Sequence, residues 1–199
     1  MKNAMLSVLC AAALMACNKN ENTQTTSTTD SIMTMPADST MMMTDSTMTG
    51  TTNETLTEQD KMFANEAATG GMMEVMLGVL AETNSSQQEV KSLGKMMVDD
   101  HTKANEELKS WATSAGYDLP NTLKADMQQK YNDMQATKGA DFDKAYVDFL
   151  VTDHKKDIAA YKKQADAGGD GNLKSFASKT VPILEKHLKA SQDVMNNLK

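Results

Sequence analysis

From residue 58 onward, apolar residues recur at every third or fourth position, and no segment alternates with the period of two that a half-buried strand requires. The first stripe, Phe63, Ala67, Gly70, Glu74, Leu77 and Ala81, predicts a helix from about Glu58 to Glu82. Thr83-Asn84-Ser85-Ser86 reads as a turn, and Ser86 with Glu89 three residues on reads as a capping box for the next helix. That second helix carries Val90, Leu93, Met97, His101, Ala104, Leu108, Trp111 and Ala115, with Gly116 placed to end it. A break at Tyr117-Asp118-Leu119-Pro120 precedes a shorter helix from Asn121 to about Ala136, closed by Lys138-Gly139. The third long helix, about Asp141 to Ala167, has Val147, Leu150, His154, Ile158, Tyr161 and Ala165 in register. After a tight turn at Gly168-Gly169-Asp170-Gly171, the fourth runs from about Asn172 with Leu173, Phe176, Thr180, Leu184, His187, Ser191, Val194 and Leu198 on its stripe.

Four long amphipathic helices in two short hairpins make an all-α, four-helix up-and-down bundle, with an extra helix in the connection between helices two and three. Gly70, Gly71, Gly78 and Gly94 lie inside the first two helices, where each costs about 1 kcal/mol relative to alanine. Close backbone approach between those helices is the expected compensation. Pro182 removes a helical donor from the carbonyl of Ser178 and is expected to kink the last helix a turn before His187.

The first 57 residues have a different character. Met1-Lys2-Asn3 followed by the small and apolar run Met5 to Ala16 has the form of an export signal, too short for a bilayer span of roughly 20 residues. It ends Leu14-Met15-Ala16-Cys17, which resembles the bacterial lipobox. Residues 1–16 are therefore expected to be a lipoprotein signal peptide, and Cys17 the lipidated residue that anchors the chain to a membrane. Asn18 in place of aspartate fits sorting to the outer membrane, on its periplasmic or outer face. Cys10 falls in the removed segment, so no intramolecular disulfide is expected. Between Asn18 and Thr57, eighteen Ser and Thr accompany six Met and almost no branched aliphatics, so residues 17–57 are expected to form a disordered tether. Its Met33-Thr34-Met35 and Met41-Met42-Met43 could collect Cu(I), although a low-complexity linker of drifting composition is the favoured reading.

With 20 lysines, no arginine and 27 acidic residues, the chain has a net charge of −7. That balance argues against a nucleic-acid footprint, and the missing guanidinium forks argue against a phosphate reader. The chemistry worth following lies on the seams. All three histidines, His101, His154 and His187, fall on the apolar stripes of three different helices, and Glu74 holds the matching place on the fourth. His154 and His187 stand sixteen residues before and seventeen after Asp170, so they should meet at one height. Glu74 and His101 show a mismatch of about 7 Å about Ser85. Three imidazoles and a carboxylate suit Zn, Fe, Mn or Cu(II), with Met97 a turn from His101. A metal-free hydrogen-bonded layer that fixes helix register is the alternative. Asp100 and Asp153, each preceding a histidine, could orient the imidazoles as acceptors, or pair with Lys103 and Lys156 at the surface.

The segments Gly70-Gly71-Met72-Met73-Glu74, Met97-Val98-Asp99-Asp100-His101-Thr102-Lys103, Phe142-Asp143-Lys144-Ala145-Tyr146 and Leu184-Glu185-Lys186-His187-Leu188 together resemble the bacterial family called domain of unknown function 4142. The resemblance covers about residues 58–197. It implies a ferritin-like helical fold and an outer-membrane association, and it supplies no activity. Ferritin-like di-iron chemistry is not implied, because Val98, Val151 and Leu184 stand where Glu-x-x-His motifs would need glutamate. The expectation is a lipid-anchored envelope protein, more a binding module than an enzyme. It holds a metal ion in the bundle or, alternatively, meets a protein partner whose identity the sequence does not reveal.

Overall fold

The computed structural model of the chain describes residues 55–198. The signal segment, Cys17 and the tether as far as residue 54 lie outside the described residues. Helix accounts for 85% of what is described, with no strand among the described residues. The elements are α1 (Glu58–Asn84), α2 (Gln88–Ala115), α3 (Ala125–Ala136), α4 (Gly139–Ala167) and α5 (Gly171–Asn197). No helix among the described residues is long and apolar enough to cross a membrane.

Local chemistry sets the helix ends. Thr57 caps α1 through its hydroxyl, and Asp60 returns the favour by accepting from the Thr57 amide at 3.0 Å, a reciprocal capping box. α2 ends on Gly116, whose φ of 63° lies in the left-handed region that glycine enters without strain. The box expected at Ser86 does not form. Gln87 is the N-cap of α2 and makes no side-chain bond, while the Ser86 amide and hydroxyl both donate to Asp143 Oδ2, at 3.3 and 2.7 Å. Asp143 is buried and Glu89 is exposed, so the carboxylate that has lost its water claims the donors. α3 starts at Ala125 and not Asn121: Lys124 is its extended N-cap, and Leu123 before it packs against the core. α5 continues unbroken through Pro182.

α1 packs along α2 and α4, and α5 packs along α4 and α2. At one end of the bundle Asn84 donates to the carbonyls of Gln135 and Thr137, next to the Ser86–Asp143 contact. At the other end, Asp60 accepts from Gln164 Nε2 and from the amides of Gly169 and Asp170. Trp111 Nε1 donates to Asp170 there, at 2.9 Å, and Asp170 also caps α5. These pairings make α1 antiparallel to α4, so the long helices run up, down, down and up and not in the alternating up-and-down order expected from the sequence. The extra helix between the hairpins is α3, and it carries the chain back along the bundle before α4 begins.

The core is split in two. Met73, Leu77, Leu93, Met97, Phe142, Tyr146 and Leu150 belong to one apolar cluster, and Phe63, Leu108, Trp111, Tyr161, Phe176 and Leu184 to the other. On each long helix a polar residue marks the change from one cluster to the other: Glu74, His101, His154 and His187. The helical glycines explain how α1 and α2 come so close. A Cβ on Gly78 would sit 2.7 Å from the Gly94 carbonyl oxygen, and one on Gly94 would sit 2.6 Å from the Ala81 Cβ. Gly78→Ala or Gly94→Ala is therefore expected to cost about 1–3 kcal/mol through overpacking. Gly70→Ala, where nothing lies within 4 Å, should instead gain about 0.5–1 kcal/mol. Urea unfolding of the three variants checks both signs.

Candidate metal centre

Glu74 reaches the layer from α1, His101 from α2, His154 from α4 and His187 from α5, and none exposes more than 5% of its surface. Their heights follow from the hairpins. His154 Nε2 lies 3.2 Å from His187 Nδ1, as their nearly equal separations from Asp170 lead one to expect. Glu74 Oε2 lies 2.9 Å from His101 Nδ1. The α1–α2 turn centres on Ser86, which cuts the height difference to about 4.5 Å, and the long glutamate side chain spans what is left.

Each imidazole has one nitrogen held by an acceptor. His101 Nδ1 faces Glu74 Oε2, His154 Nδ1 faces the Leu150 carbonyl at 3.0 Å, and His187 Nε2 faces Asp100 Oδ2 at 3.0 Å. A neutral imidazole carries one proton, and with Glu74 ionised these contacts place it on the held nitrogen. The other nitrogens, His101 Nε2, His154 Nε2 and His187 Nδ1, are then lone-pair donors. One ligand nitrogen from each ring falls within 4.8 Å of the other two, so the group could hold a metal ion. His101 Nε2 is buried without a hydrogen-bond partner. His154 Nε2 and His187 Nδ1 face each other with one proton too few. The row from Leu150 through both rings to Asp100 has three gaps, and two neutral imidazoles bring two protons.

The electrostatics keep the rings neutral. Burial pulls each histidine down to about 4. Burial also pushes the Asp100 carboxyl up, but the His187 contact and the charges of Lys186 and Lys103 outweigh it and leave the group below the usual carboxylate range. Glu74 is raised to about 8, mainly by burial, with His154 opposing and Asp153 adding to the shift. Its Oε1 lies 3.4 Å from His154 Nδ1, but that nitrogen's proton goes to Leu150, and Oε1 has no hydrogen-bond partner.

The four layer residues singled out in the sequence thus come together, and the two aspartates part company. Asp100 serves His187 across the α2–α5 seam, not its neighbour His101, while Lys103 lies 3.7 Å from its other oxygen. Asp153 touches no imidazole in a hydrogen bond and instead groups with Glu74 and Asp157. Met97 is buried within the apolar cluster beside the layer. The Leu150 carbonyl was not legible in the sequence. Asp157 was missed as well, although its place one turn after Asp153 on α4 is a signal that could have found it.

The shifts set a pH dependence for the metal-free protein. Histidines lowered to about 4 add stability that is complete above about 6.5 and lost as pH falls towards 4. Glu74, raised to about 8, works in the other direction, its contribution fading as pH rises from about 4.5 through 8. Between pH 6.5 and 8 only the second effect remains of the two. Metal-free wild type should lose several degrees of melting temperature across that window by differential scanning calorimetry, and Glu74→Gln should reduce the loss without abolishing it, since burial also raises Asp157, to about 9.

Comparisons with known proteins agree with this fold. No curated protein matches the chain. A DUF305 fragment from Deinococcus radiodurans superposes with a TM-score of 0.63 at 12% identity, covering 72% of this chain and 99% of that one. A DUF305 protein from Streptomyces coelicolor, described as secreted, gives 0.59 at 14% identity, covering 70% and 91%. At such identities the likeness is one of fold alone. Residues 45–194 match the family described as domain of unknown function (DUF4142), and the chain belongs to that family.

Proposed function

We propose that the bundle holds one transition-metal ion, Zn²⁺ or Cu²⁺, on the inward nitrogens of His101, His154 and His187, in a lipid-anchored protein of the bacterial envelope. The carrying observation is that one nitrogen of each ring faces a carboxyl or carbonyl oxygen, while the three rings together offer one ligand nitrogen each within 4.8 Å of the others. Imidazole held by a carboxylate or carbonyl is the usual support for a metal-ligating histidine. Glu74 and Asp100 then act as positioning residues. Fe and Mn are less suited, since they favour more oxygen donors than this all-nitrogen set supplies. Three nitrogen ligands would leave a four-coordinate ion one position for an exchangeable ligand, which fits holding and handing on of an ion. The Leu14-Met15-Ala16-Cys17 run supports an acyl anchor at Cys17, and Asn18 supports the outer membrane.

The second reading is a metal-free layer that fixes register in an envelope interaction module, and the 3.2 Å contact between His154 and His187 favours it. That reading needs an extra proton on a pair of rings that burial keeps neutral. Elemental analysis of the full-length protein, purified without a histidine tag, separates the two. Wild type is expected to hold close to one ion per chain and His101→Ala/His154→Ala/His187→Ala none. EDTA should lower the wild-type melting temperature only. Metal-free wild type whose melting is unchanged by Zn²⁺ or Cu²⁺ would leave the register layer. For the anchor, incorporation of labelled palmitate should occur in wild type and be abolished in Cys17→Ala.

A further inference from the structure

We propose that Glu74, Asp153 and Asp157 form a second cation site, for a hard divalent ion of the calcium class, on the α1–α4 side of the polar layer. Asp153 and Asp157 stand one turn apart on α4, and one carboxylate oxygen from each lies within 4.8 Å of the other and of Glu74. Acidic groups gather at many surfaces without an ion, but here one member is orphaned in the interior. Glu74 is 1% exposed, its Oε2 is committed to His101, and its Oε1 is buried without a hydrogen-bond partner. An unsatisfied buried oxygen is costly, and a cation bound to it removes the cost.

The charges point the same way. Burial raises all three carboxyls, Asp157 to about 9 and Glu74 to about 8, and Glu74 and Asp153 both push Asp157 up further. Lys156 and Lys130 only partly offset this at Asp153, and Lys156 at Asp157. The donors are all oxygen, and the two aspartates are half-buried, leaving room for water to complete a shell of six to eight ligands. Calcium accepts such an irregular set, whereas Mg²⁺ demands a near-ideal octahedron. The site uses Glu74 where His101 holds it, and it does not require an ion on the histidines.

Thermal unfolding of the full-length, metal-stripped protein with added CaCl₂, against NaCl at equal ionic strength, tests the site. A Ca²⁺ excess of 100 times Kd should raise the melting temperature by about 5–10 °C. Asp153→Asn/Asp157→Asn, near-isosteric and relieved of repulsion, should stay folded and lose the shift, and Asp157→Asn alone should lose most of it. His187→Ala should keep the calcium shift even though it loses the transition metal, which separates failure of this site from failure of the histidine site. No shift in wild type, or an equal shift in the double variant, overturns the proposal.

Discussion

Desolvation of four polar side chains in mid-bundle is the constraint to which the remaining structure answers. A carboxyl and three imidazoles sit between two apolar clusters, where each group left without a partner would cost a few kcal/mol. Glu74, the Leu150 carbonyl and Asp100 each hold one nitrogen of a ring, His154 and His187 meet through their second nitrogens, and His101 Nε2 is left without a partner. A fully bonded layer would be more stable and chemically inert.

Such a layer tolerates little sliding, since one residue of slip moves a side chain by about 1.5 Å along its helix. Register is fixed at both ends by buried acids. Asp60 gathers Thr57, Gln164 and the amides of Gly169 and Asp170 at one end, and Asp143 holds Ser86 at the other. Between them, Gly78 and Gly94 lock α1 on α2 by backbone contact. The polar layer is aligned by contacts remote from it, which frees its own atoms from having to define the fold.

Much of this was readable from periodicity and counting. Helix boundaries fell within a few residues, the glycines signalled a close pair, and the distances of His154 and His187 from their turn predicted the contact between them. Besides the Leu150 carbonyl, three things were not readable from the sequence. Ser86 has the spacing of a capping box with Glu89, but its partner is Asp143, brought near only by packing. Asp100 precedes His101 and serves His187, because adjacent helical residues point about 100° apart. Glu74 looked like one ligand among four, yet its two oxygens have different surroundings, one bonded and one not, and a sequence assigns no direction to either.

The crossover through α3 has a consequence for assembly. Glu74 and His101 belong to one hairpin, His154 and His187 to the other, and each hairpin is built from contacts local in the chain. Each can zip up early and quickly, whereas joining them must close a long intervening segment. The layer is therefore the clasp fastened last: its groups become dry only when the halves dock, so docking and dehydration of the histidines are one event.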